Sequence, residues 1–93
     1  MPTIIKQIED DERGRTILRV EGSMEYEDAV LLEKIAIEMR DDLNKPITID
    51  LADLDFLDSN SAPIIQKLKR EHSFEIEGLE IFLQKIVNET ERK

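Results

Sequence analysis

The sequence predicts an α/β fold, a single domain over residues 1–93 in which helices pack on a small mixed sheet of about four strands. Three observations lead there. Runs rich in β-branched residues alternate along the chain with segments of helical period. The 93 residues suffice for one core and not for two. Apolar residues make up 40% and charged residues 38%, so the chain can both fold and stay solvated, and with three Phe, one Tyr and no Trp the core must be aliphatic.

Thr3–Glu9 reads as a strand, Asp10–Arg15 as a polar turn whose Gly14 can take positive φ, and Thr16–Gly22 as a second strand with Leu18 and Val20 on one face. A helix is expected from Tyr26 to Leu43, since Leu32, Ile35, Ala36, Met39 and Leu43 share one apolar face. Its acidic start suits the positive end of the helix dipole, and Asn44-Lys45-Pro46 stops it. Ile47–Leu51 alternates as a third strand. A second helix should run from Asn60 to His72 with Ile64, Ile65 and Leu68 inward and Pro63 in its first turn. Leu79–Leu83 reads as the last strand and Gln84–Lys93 as a short terminal helix, while Ser73–Gly78 has no clear pattern. The order is β-β-α-β-α-β-α, with parallel strands around each helix and the hairpin supplying an edge strand.

The formal charge of −9, from 22 acidic and 13 basic residues, argues against nucleic acid and against anionic lipid. It favours a basic protein partner. Without Cys there is no disulfide, thiolate nucleophile or zinc-thiolate site. The opening MPTIIKQIEDDE lacks the apolar core of a secretory signal, and no window reaches the roughly 20 apolar residues of a membrane span. A cytoplasmic location without membrane insertion is expected.

The stretch LDFLDSNSAPIIQKL, Leu54–Leu68, carries the functional signal. Leu54 and Phe56 are expected inward against Asp53 and Asp55, anchoring the chain up to Asp58-Ser59 at the start of the second helix. Asp, Ser and Asn are all good N-caps, so the pair has a structural explanation. It also stands beyond the carboxyl end of a strand, where open α/β sheets place ligands and modifications. A phosphate on Ser59 would meet the helix N-terminus and add about −2 charge beside Asp58.

VEGSMEYEDAVLLEKI and ITIDLADLDFLDSNSAPIIQKL together resemble the STAS domain, the family of sulfate transporters and anti-sigma factor antagonists. The resemblance spans roughly Ile4 to Leu83 and rests most heavily on the apolar strand, the two-anchor spacer and the Asp-Ser pair. It implies a switch protein that is not an enzyme. In the antagonists, an anti-sigma factor that is also a serine kinase binds the unphosphorylated form and releases the phosphorylated one, and a PP2C-type phosphatase reverses the modification. Carried over, Ser59 is the phosphoacceptor, Asp58 fixes the loop, and Asn60, Ser61, Glu25 and Ser23 belong to the partner-binding surface. The family usually has Gly at the position of Ser61, so a second hydroxyl stands there as a rival acceptor. STAS domains also serve in stressosome and lipid-transport complexes, an alternative without a sigma-factor role.

An acyl carrier, with phosphopantetheine on Ser59, is a further alternative, but its helical bundle conflicts with the strand-like runs. A serine hydrolase needs a base, and the only histidine, His72, falls at the far end of the second helix, where it suits the dipole. Asp53, Asp55 and Asp58 alternate as in calcium loops but lack the turn glycine. No metal or cofactor is expected.

Overall fold

The sheet is built around β2 (Arg15–Met24), in which every second residue from Thr16 to Met24 is buried. This period-two pattern sets one face of the strand against the helices. The computed structural model describes residues 3–80. β1 (Ile4–Asp10) runs antiparallel to β2 across a hairpin turn closed by Gly14 at φ 64°. α1 (Tyr26–Leu43) then returns the chain to β3 (Ile47–Asp50), which lies parallel to Thr16–Arg19 of β2. β4 (Leu54–Leu57) lies parallel to the last residues of β2, α2 (Ala62–Arg70) follows, and β5 (Glu75–Glu77) pairs parallel with β3. The sheet order is β1-β2-β3-β5, with β4 beside β2. The mixed sheet with the hairpin strand at its edge is as expected; its five strands fit the expected count of about four with one addition, the spacer before Asp58, which is itself a short strand.

The core is aliphatic. Leu18, Val20 and Met24 of β2 meet Ala29, Leu32 and Ala36 of α1, Ile47 and Ile49 of β3, Leu51, Leu54, and Ile65 and Leu68 of α2, with Phe74 the one aromatic among the described residues. Ile35 and Met39 pack on its margin. Leu43, expected on the same stripe, is 41% exposed, because it closes the last turn just before Asn44 turns left-handed at φ 51°. The Asn44 N–H donates to the Arg40 carbonyl at 2.9 Å, which ends the helix where the sequence places its stop.

The expected strand at Leu79–Leu83 is corrected. Strand pairing falls on Glu75–Glu77, and Leu79 and Glu80 are helical. Gly78, at φ 78°, ends β5 and turns the chain. The remainder of that expected strand and the expected helix at Gln84–Lys93 lie outside the described residues.

The face of the sheet opposite the core is held by charge. The Arg15 guanidinium donates to Asp10 Oδ2 at 3.0 Å, Glu77 Oε1 at 2.8 Å and Thr48 Oγ1 at 3.2 Å, linking β1, β2, β3 and β5. These bonds hold the Asp10 and Glu77 carboxyls below their ordinary pKa and raise that of Arg15. On the core side, Lys67 Nζ at 3.5 Å from Glu33 Oε2 joins α2 to α1, and Arg40 of α1 stacks 4.3 Å from the ring centre of Phe74, in the segment after α2. Among the described residues, no helix is long and apolar enough to cross a membrane.

Candidate functional site

β2 and β4 end side by side, with Met24 opposite Leu57. The next residue, Asp58, donates its N–H to the Met24 carbonyl at 2.9 Å, so the chain leaves β4 tied to the end of β2. Asp58 then holds the turn that follows. Its carbonyl accepts the Ser61 N–H at 2.8 Å, and its Oδ1 accepts the Asn60 N–H at 2.9 Å. The Ser61 carbonyl accepts from Ile64 and Ile65 at 3.0 and 3.2 Å, so α2 starts at Ala62 with Pro63 in its first turn.

Three expectations change at this point. Ser59 does not cap α2. It is an exposed corner residue of the Asp58–Ser61 turn, and its hydroxyl has no hydrogen bond among the described residues. The cap position belongs to Ser61, so the helix begins later than Asn60. Phe56 does not point inward: it is 51% exposed, while Leu54 and Leu57 are the residues that pack on the core. A register shift between Gly22 and Ser23 breaks the strand alternation there, moving the anchors from a spacing of two to three.

Ser61 is fully buried and its Oγ has no partner among the described residues. Its backbone is ordinary right-handed, φ −83° and ψ −26°, so the position does not demand glycine. The second hydroxyl faces into the protein and is out of an enzyme's reach in this conformation. Asn60 is exposed on the turn. Glu25 is exposed at the N-cap of α1, its N–H donating to Asp28 Oδ2 at 3.0 Å. Ser23 is half-buried on β2, opposite Phe56, and its carbonyl accepts the Thr3 hydroxyl.

The turn leaves little for a phosphate to bind. The N–H groups of Asn60 and Ser61 are already committed to Asp58, and Pro63 has none. A phosphate on Ser59 would therefore meet fewer free helix donors than expected, and it would stand beside Asp58. Sequence reasoning also missed neighbours of the turn. Tyr26, Asn60, Pro63 and Ile64 line a groove of about 500 Å³ between the starts of α1 and α2. Tyr26, the only tyrosine and first residue of α1, was the available signal.

The other acids and the histidine sit elsewhere. Asp53 faces Arg19 at 3.7 Å, and Asp58 is engaged in the turn. Among the described residues, no group of three or more His, Cys, Asp or Glu is arranged to hold a metal ion. His72 lies past the end of α2, its Nε2 3.9 Å from Glu33 Oε2, and does not meet Ser59.

This arrangement of sheet and helices is similar to that of solved structures. An anti-sigma-factor antagonist STAS domain from Rhodobacter sphaeroides superposes with a TM-score of 0.61 at 20% identity, over 85% of this chain and 89% of that one. The fold is that of a STAS domain. An uncharacterised Shewanella loihica protein with a SpoIIAA-like fold gives a TM-score of 0.51 at 21% identity, over 77% of this chain and 60% of that one. A chain called Mglu gives 0.56 at 18% identity, over 80% of this chain but only 18% of its own length. No family model and no curated protein sequence matches the chain. A five-stranded STAS sheet is not the helical bundle that a phosphopantetheine carrier requires, so that alternative falls with the fold.

Proposed function

We propose that this STAS-fold chain is a protein-binding switch of the anti-sigma factor antagonist type, with Ser59 as its phosphoacceptor and no catalytic activity of its own. The observation that carries the reading is the setting of Ser59, an exposed hydroxyl on a turn fixed at both ends by Asp58. A kinase needs an accessible hydroxyl held in one geometry, and this turn offers one without spending it on the fold.

In this reading the partner is an anti-sigma factor with serine kinase activity that binds the unphosphorylated form. Glu25, Ser23, Asp58 and Asn60 border its footprint, and Ser61 contributes the buried start of α2. The acceptor hydroxyl must approach the terminal phosphate of the kinase's nucleotide. A phosphate on Ser59 then faces the nucleotide's own phosphates, and like charges drive the two proteins apart. A PP2C-type phosphatase resets the switch.

Capture from an extract of the source cells tests this, with wild type, Ser59→Ala and Ser59→Asp as baits. Ser59→Ala is expected to hold the kinase and resist phosphorylation, and Ser59→Asp to hold it about tenfold more weakly. Equal capture by all three contradicts the switch.

A further inference from the structure

The groove beside Ser59 has a chemical character of its own. Tyr26 is 52% exposed at its edge, and Val30, one helical turn along α1, is 41% exposed. Single exposed apolar residues are ordinary, whereas an apolar concavity of about 500 Å³ bordered by such residues is the form a binding site takes. Among the described residues, the end of the groove at the two helix starts carries one sign of charge, while Lys67, paired with Glu33, lies a turn further along α2. Glu25, Glu27 and Asp28 stand at the start of α1 and Asp58 on the turn, while neither helix's first turn, nor the segment leading into it, contains Lys or Arg. A second copy of the chain is a poor occupant, because a symmetric contact sets these carboxylates against each other on a molecule of net charge −9. The complement of this surface is an apolar side chain flanked by cations.

We propose that the groove lined by Tyr26, Asn60, Pro63 and Ile64 docks a protein partner by receiving one of its apolar side chains, with that partner's Arg or Lys residues set against Glu25, Glu27, Asp28 and Asp58. The inference rests on the reading of Ser59 as a site of regulated partner binding, and it names the chemistry of the partner's surface. Asn60 belongs both to the groove and to the turn, so a partner seated here lies across the Ser59 hydroxyl. Docking and modification thereby share one location: the groove supplies attraction, and the state of Ser59 decides whether the partner stays.

The test uses the isotope-labelled full chain and a blocked peptide, Lys-Arg-Gly-Phe-Leu-Gly-Arg-Lys, followed by amide shift changes. The expected changes centre on Tyr26, Val30, Asn60 and Ile64. A peptide with Glu at the basic positions should not bind, and one with Ser-Ser for Phe-Leu should bind about tenfold more weakly. Tyr26→Ala should lower affinity about tenfold, while Leu43→Ala, at the other end of α1, leaves it unchanged. Shifts scattered over the acidic surface, or equal affinity for the Ser-Ser peptide or for Tyr26→Ala, overturn the proposal. So does a free chain that sediments as a dimer and dissociates on Tyr26→Ala, which assigns the groove to a second copy. The peptide carries no phosphate, so Ser59→Asp should bind it at least as well as wild type. Failure of the groove therefore leaves the phosphoacceptor reading standing, and an unmodified Ser59 leaves groove binding standing.

Discussion

Ser59 stands in solvent at the corner of a turn, whereas Ser61, two residues on, is buried with a hydroxyl that has no partner among the described residues. A buried hydroxyl without a partner costs about 1–3 kcal/mol of desolvation, and Ser61→Ala removes it without opening a large void. That variant should therefore match wild type or gain about 1 kcal/mol in urea unfolding. A clear loss would mean that the hydroxyl has a partner in solution. Ser59→Ala, with no side-chain bond to lose, should change stability by less than about 0.5 kcal/mol. The sequence points to this candidate site but not to the part each residue plays in the turn. Asp58, Ser59, Asn60 and Ser61 are four cap-competent residues in a row, and propensity does not choose among them. The choice is made by the bond from Asp58 to Met24, a contact between strands distant in sequence.

Among the elements, α1 was legible because its acidic start, apolar period and proline stop all act locally. β5 was not. Glu75-Ile76-Glu77 looks like solvent-facing loop until Arg15, on β2, supplies the partner that lets two glutamates sit on a sheet. The apolar run after it reads as a strand, yet Gly78 turns the chain first. A Cβ at Gly78 would lie 2.4 Å from the Ala52 nitrogen and 2.7 Å from Asp50 Oδ1, while one at Gly14 meets nothing within 4 Å. Both glycines have positive φ, so alanine strains either by about 1 kcal/mol. Gly78→Ala adds overlap with backbone, and the total should reach about 2–4 kcal/mol. Equal thermal shifts for the two variants would contradict the close packing of β5's end against the loop after β3.

For the whole molecule, the Arg15 cluster links four of the five strands on the face away from the core. Asp10 and Glu77 titrate below their ordinary values when folded, chiefly through the hydrogen bonds they accept from Arg15. The unfolded chain therefore binds more protons across this range, and stability rises with pH. The contribution is fully present above the unfolded carboxylate values of about 4 and is lost as pH falls through the lower folded ones. Arg15→Met should be less stable than wild type near pH 7, and the difference should shrink toward about pH 3. Parallel stability curves would remove the cluster from the account. The parallel pairing of β2 with β3 across α1 was readable because it follows from a strand–helix–strand unit, whereas the pairing of β4 with β2 was not. The charged face was not, because its contacts join residues far apart in the chain.

As the proposed phosphoacceptor, Ser59 carries a modification that the fold ignores and a partner reads. The most direct test is the intact mass of the protein isolated from its own cells under phosphatase inhibition, with the modified residue mapped, for wild type and Ser59→Ala. One phosphate on Ser59 in wild type and none in the variant is the expected result. A chain that carries no phosphate at Ser59, or carries it on Ser61 instead, contradicts it.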